Sequence, residues 1–196
     1  MNLTELQTEV YTQTNLPHLV NETLAAVRSA TLKLHQLDYF YRDIKEAGIS
    51  FSAPDLVQNF EYKELFPRWR ALKYFRRALP DGTITEPLYE VISPENFMDA
   101  YNIVRTNVCY VAGNFIQIRS TVDLTYAIIG FYEHPDITVG GYNSWIAKDY
   151  PYAIVHEAAA QVFAAVGDTA QATSQKSLAL EAYRAVQVSN IQAMGY

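Results

Sequence analysis

Pro54, Pro67, Pro80, Pro87 and Pro94 recur at short intervals through the middle of the chain. Each removes a backbone donor and crowds the preceding turn, so no long helix can run between them. The flanks carry helical patterns instead. From Pro17 to Ala47, the residues Leu24, Val27, Leu34, Leu37, Tyr41 and Ile44 recur at helical steps. This spacing predicts one long helix, with Pro17 in its first turn and Gly48 as the left-handed residue that ends it. A shorter helix over Leu3 to Thr14 precedes it. Near the other end, Tyr150-Pro151 opens a helix with Ile154, Ala158, Val162 and Ala165 on one stripe. Gly167 closes it, and Asp168-Thr169-Ala170-Gln171 reads as a capping box for a last helix through Ala172, Ala179, Tyr183 and Val186. A connection this short makes the two helices antiparallel neighbours.

Between the flanks, the pattern changes to short strands. Val108 to Val111 and Phe115 to Ile118 flank Gly113-Asn114, a pair suited to a tight hairpin turn. A third strand is expected over Leu124 to Tyr132, with Leu124, Tyr126 and Ile128 on one face and Thr125, Ala127 and Ile129 on the other, a pattern open to cover on both sides, and a fourth over Leu88 to Ile92. Ser93-Pro94 then starts a short helix. The expected fold is therefore mainly α with an inserted antiparallel β subdomain (α+β). It pairs a helical bundle, made of the long N-terminal helix and the C-terminal hairpin, with a three- to four-stranded antiparallel sheet in the middle. One domain of 196 residues is expected. Its parts are N-terminal helices over 1–47, an irregular and β insert over 48–140, a helical hairpin over 141–190 and a tail over 191–196.

Composition narrows the function classes. With 49% hydrophobic and 18% charged residues, the chain can bury a core. A net charge of −6 disfavours general wrapping of nucleic acid, though not passage of DNA through a non-sticking channel. Cys109 is the one cysteine, which leaves no internal disulfide or cysteine zinc site and points to a reducing compartment. No apolar run reaches the roughly 18 residues of a membrane span, and the start MNLTELQTEV lacks a secretion signal, so a cytosolic origin is expected. Fifteen tyrosines suit surfaces that are wet before assembly and buried after it, although a tyrosine-rich core edge would use them as well.

Sites of chemistry are sparse. His156-Glu157 begins like a zinc-protease helix, but Ala160 stands where the second histidine belongs. His18, His35 and His134 show no metal-ligand spacing, and neither phosphate-binding glycine patterns nor a Gly-x-Ser-x-Gly elbow occurs. Cys109, between Val108 and Tyr110 in an expected strand, reads as filler, since nothing nearby would lower its pKa. Glu61/Glu64 and Glu133/Asp136 could do acid-base work, but they lie in polar stretches where a solvated face is the usual meaning. The one concentrated charge feature holds Arg68, Arg70, Lys73, Arg76 and Arg77 within ten residues, interleaved with Trp69, Tyr74 and Phe75. It fits either a DNA-facing surface or, twice as readily, a basic face against an acidic neighbouring subunit.

Phe131 to Ile137, followed by Trp145-Ile146-Ala147-Lys148-Asp149-Tyr150-Pro151 and the Ala-rich run to Ala159, resembles the head-to-tail adaptor, or head-completion, family of tailed bacteriophages. The likeness covers about Val108 to the last residue, and Trp145, Tyr150 and Pro151 are the positions that carry it. The resemblance implies a virion structural protein without enzymatic turnover. It would form a ring, usually of twelve subunits, that joins the portal protein to a tail tube or nozzle in the virion neck and continues the DNA channel, with transient DNA contact. Assembly would take place in the host cytoplasm. It also implies that Ile191, Gln192, Ala193, Met194, Gly195 and Tyr196 dock against the portal. No cofactor or metal is implied. A tail-completion or tail-terminator protein is the alternative, and a small hydrolase a more distant one.

Overall fold

The structure is a computed structural model that describes residues 1–98 and 101–193. In chain order its elements are α1 (Leu3–Thr14), α2 (Val20–Gln36), β1 (Ile44–Glu61), α3 (Tyr62–Leu65), β2 (Trp69–Ala78) and β3 (Ile84–Val91). Then follow β4 (Val108–Ala112), β5 (Phe115–Glu133), α4 (Trp145–Asp149), α5 (Pro151–Ala165) and α6 (Thr169–Ala193), with 3-10 turns at Tyr41–Asp43 and Pro94–Asn96. They divide into two compact units: Met1–Asp43 with His134–Tyr196, and Ile44–Glu133.

The first unit is helical and is built on α5, which is buried on most sides through Ala153, Ile154, Val155, Ala158, Ala159 and Val162. Small residues let its neighbours approach closely. Leu6 and Val10 of α1, Val27, Ala30 and Leu34 of α2, and Tyr183 and Val186 of α6 close the core around it. Local chemistry sets the element ends. Asn2 and Glu5 form a reciprocal capping box on α1, and Asn15, at φ 55°, ends that helix. Gly167, at φ 84°, ends α5, and the Asp168 carboxylate accepts the Gln171 N–H to start α6.

The second unit is a closed barrel. β5 pairs with β2 and β4 on its two halves, β2 pairs with β3, and β3 meets β4 in parallel at Glu90↔Val108 and Val91↔Cys109. These four strands close a ring, and β1 adds to β5 as a fifth strand. The barrel is filled by Phe75, Tyr89, Cys109, Ile116, Ile118, Leu124, Ala127, Ile129 and Phe131. Along β5 the buried positions are even up to Leu124, shift to odd at Ala127 and Ile129, and are continuous from Ile129 to Tyr132; the change of face after Leu124 coincides with the register shift of β1 between Ser50 and Asp55.

Three expectations need correction. The fold is not a helical bundle with a simple antiparallel sheet, because β3 and β4 run parallel and the strands close into a barrel. The helix expected to Ala47 stops at Gln36, and Gly48 lies inside β1 beneath the Tyr126 ring rather than at a helix end. The cause is tertiary: the Asp43 carboxylate returns to within 2.9 Å of His35 Nδ1. In an unbroken helix, eight residues would separate their backbones by about 12 Å. Finally, the strands expected at Phe115 and at Leu124 are one continuous β5. The hairpin at Gly113 forms as expected, with Ala112 opposite Phe115 and Gly113 at φ 62°.

Candidate functional site

In the helical unit a buried polar centre gathers around His35. Its Nδ1–H donates to Asp43 at 2.9 Å, and its Nε2 pairs with the Ser144 hydroxyl at 2.9 Å. All three side chains are buried. Trp145 Nε1–H donates to the same Asp43 carboxylate at 2.8 Å, and the Arg42 guanidinium lies 4.6 Å over the indole while also pairing with Asp149. Phe40 and His35 meet the indole edge-on. Asp43 is the last residue before the chain enters the barrel, and Ser144 and Trp145 follow soon after it returns. The network therefore ties together the two chain segments that make up the helical unit.

Asp, His and Ser in this order have the connectivity of a hydrolytic triad. The chemistry around Ser144 is that of a helix cap. Its Oγ accepts the Ala147 N–H at 3.1 Å, the bond that caps α4. Ser144 is 3% exposed, at the floor of a hollow of about 290 Å³ whose wall includes Tyr142, Asn143 and Lys148. The arrangement orients α4 and holds Trp145. Sequence reasoning missed it because His35 and Ser144 are 109 residues apart. The one local signal was a histidine next to Leu34 inside the apolar stripe of α2.

A second charged centre lies on the same unit. Glu157, half of the failed zinc motif, is 5% exposed and accepts Lys33 Nζ at 2.5 Å, Lys176 Nζ at 3.3 Å and Gln161 Nε2 at 3.3 Å. Burial opposes its charge, but the Lys33 ammonium, with help from Gln161 and Lys176, outweighs this and holds the carboxyl below the usual range. The bond to Glu157 correspondingly raises Lys33. His156 turns away to Gln175 Oε1, at 2.7 Å.

Arg68 stands just before strand β2 and the other four basic residues lie within it, where alternation, interrupted by two register shifts, turns successive side chains to different sides. Arg68 pairs with Glu133 at 3.0 Å, and Arg77 donates to the Glu86 carbonyl. Arg76 lies over the Tyr74 ring and Lys73 over Tyr132. Arg70 sits half-buried at the register skip between Trp69 and Ala71. Of the five, Lys73 is the exposed one.

Cys109 is buried in the barrel core, and burial pushes its thiol up to about 12, which keeps it protonated at neutral pH. Glu133 is held by Arg68, while Asp136 accepts the Thr138 N–H and hydroxyl in a local turn. Among the described residues, no three of His, Cys, Asp and Glu gather as metal ligands, and no helix is long and apolar enough to cross a membrane. Of the six residues expected to dock on a portal, Ile191, Gln192 and Ala193 form the last turn of α6 rather than a tail. Met194, Gly195 and Tyr196 lie outside the described residues. No protein-family model matches the chain, and no curated protein is significantly similar to it.

Proposed function

We propose that this chain is a head-to-tail connector subunit of a tailed bacteriophage, a virion structural protein that forms a ring between portal and tail and continues the DNA channel. The observation that carries the reading is the part played by the three residues of the family likeness. Trp145 donates to Asp43 in the polar centre of the helical unit, and Tyr150-Pro151 opens the central helix α5. A motif that serves folding rather than chemistry suits a protein whose work is to present surfaces. In this reading, subunits act without turnover and need no cofactor, in the neck of the virion. Negative-stain microscopy of the chain mixed with its portal protein tests it: rings seated on the portal are expected, and free monomers alone would overturn it.

Two other readings stay distinct by experiment. A tail-completion or tail-terminator protein would be captured by tail tube and not by portal in paired pull-downs. A small hydrolase draws support from the Asp43–His35–Ser144 alignment, and a fluorophosphonate probe tests it. Labelling of Ser144 that is lost in His35→Ala would establish it, whereas the capped, covered Ser144 is expected to stay unlabelled.

A further inference from the structure

The helical unit carries an open trench that neither the polar centre at His35 nor the connector reading uses. Two adjoining hollows, of about 350 and 260 Å³, share Glu157, Lys176 and Ser177. The first is floored by small residues, Ala160, Ala164 and Ala172, which permit close approach of a backbone. The second is apolar, with Leu37 and Leu180 at its edge, 53% and 58% exposed. Between the two, Lys33 and Lys176 share the single buried carboxylate of Glu157. Two ammoniums against one carboxylate leave the middle of the trench net positive, in a chain whose net charge is −6. Along α6 the trench runs from Ala172 to Tyr183, about 16 Å or three helical turns.

We infer that this trench is a docking groove for an acidic amphipathic helix of a second, different protein. Its small-residue half admits the partner's backbone, its leucine half takes aliphatic anchors one turn apart, and the lysine pair takes a carboxylate between them. The charge selects the occupant. An apolar helix without a carboxylate would leave the surplus ammonium desolvated, and a basic one would meet it with like charge.

The test uses the full chain and a designed, stapled amphipathic peptide of about three turns, with two Leu anchors one turn apart and a central Glu, beside the same peptide with Lys in place of that Glu. Binding is read by fluorescence anisotropy. The Glu peptide is expected to bind at least about fivefold more tightly than the Lys peptide, the scale of one rim ion pair. Lys176→Glu should reverse that preference, and Leu180→Asp should abolish binding of both. Leu180 is exposed, so the second variant keeps the test valid if the first fails to fold. Equal binding of the two peptides would overturn the inference, as would binding untouched by Leu180→Asp. Self-association of the wild-type chain that Leu180→Asp abolishes would also overturn it, because the groove would then be filled by another copy. None of these outcomes depends on portal binding, so the inference and the connector reading can fail separately.

Discussion

Trp145 joins one hydrogen bond, three edge-on aromatic contacts and a guanidinium stack on a single side chain. Trp145→Phe keeps most of the packing and leaves Asp43 short of one donor, and it should lower unfolding free energy by about 1–2 kcal/mol. Trp145→Ala should lower it by about 3–5 kcal/mol. Urea titrations followed by circular dichroism would read both. Glu157 makes a pH prediction whose sign is settled by direction. Its folded pKa lies below an unfolded value of about 4.3. The stabilisation is therefore complete above that value and is lost as pH falls through the lower folded value. Wild-type stability should drop between pH 5 and pH 3 more steeply than that of Glu157→Gln, in the same titration. Cys109, protonated and enclosed, should react with a thiol reagent at pH 8 only once the chain is unfolded, and a stoichiometric reaction of the native protein would contradict its place in the barrel core.

At the scale of elements, the barrel relies on close ring-over-glycine packing. A Cβ at Gly130 would fall within the Tyr74 ring, which lies across β5 from the neighbouring strand. Gly130→Ala should destabilise the barrel by about 1–3 kcal/mol, and pairing it with Tyr74→Ser should recover part of that loss in a double-mutant cycle. α6 starts on Asp168, so Asp168→Ala should lower stability by about 1 kcal/mol. The helical hairpin was legible in the sequence for this reason: Pro151, Gly167 and Asp168 act within a few residues of themselves. The end of α2 was not legible, since the periodic residues Leu37, Tyr41 and Ile44 continue a helical pattern that the bond from His35 to Asp43 overrides. The basic run shows the same dependence on packing: five charges in ten residues read as one cluster, and the fold pairs Arg68 with Glu133 and Arg77 with the Glu86 carbonyl.

For the whole molecule, the two units have separate cores. The barrel begins at Ile44 and ends beside it, because Ile44 pairs with Tyr132 on the adjacent strand. A chain in which residues 44–133 are replaced by a short Gly/Ser linker should therefore keep the helical unit, with a cooperative melt and the indole fluorescence of Trp145. Loss of cooperative melting would show that the units fold only together. By itself the sequence determined what depends on neighbours along the chain: the helix caps and stops of the flanks, the turn at Gly113, the exclusion of long helices from the proline-rich middle and the inert setting of Cys109. Only the tertiary structure decided the barrel closure, the buried His35–Asp43–Ser144–Trp145 centre and the sharing of Glu157 by two lysines. The physical reason is distance along the chain. The parallel contact of β3 with β4 and the bonds of His35 to Ser144 and Lys33 to Glu157 join residues with no local pattern in common, so they exist only once packing has brought them together.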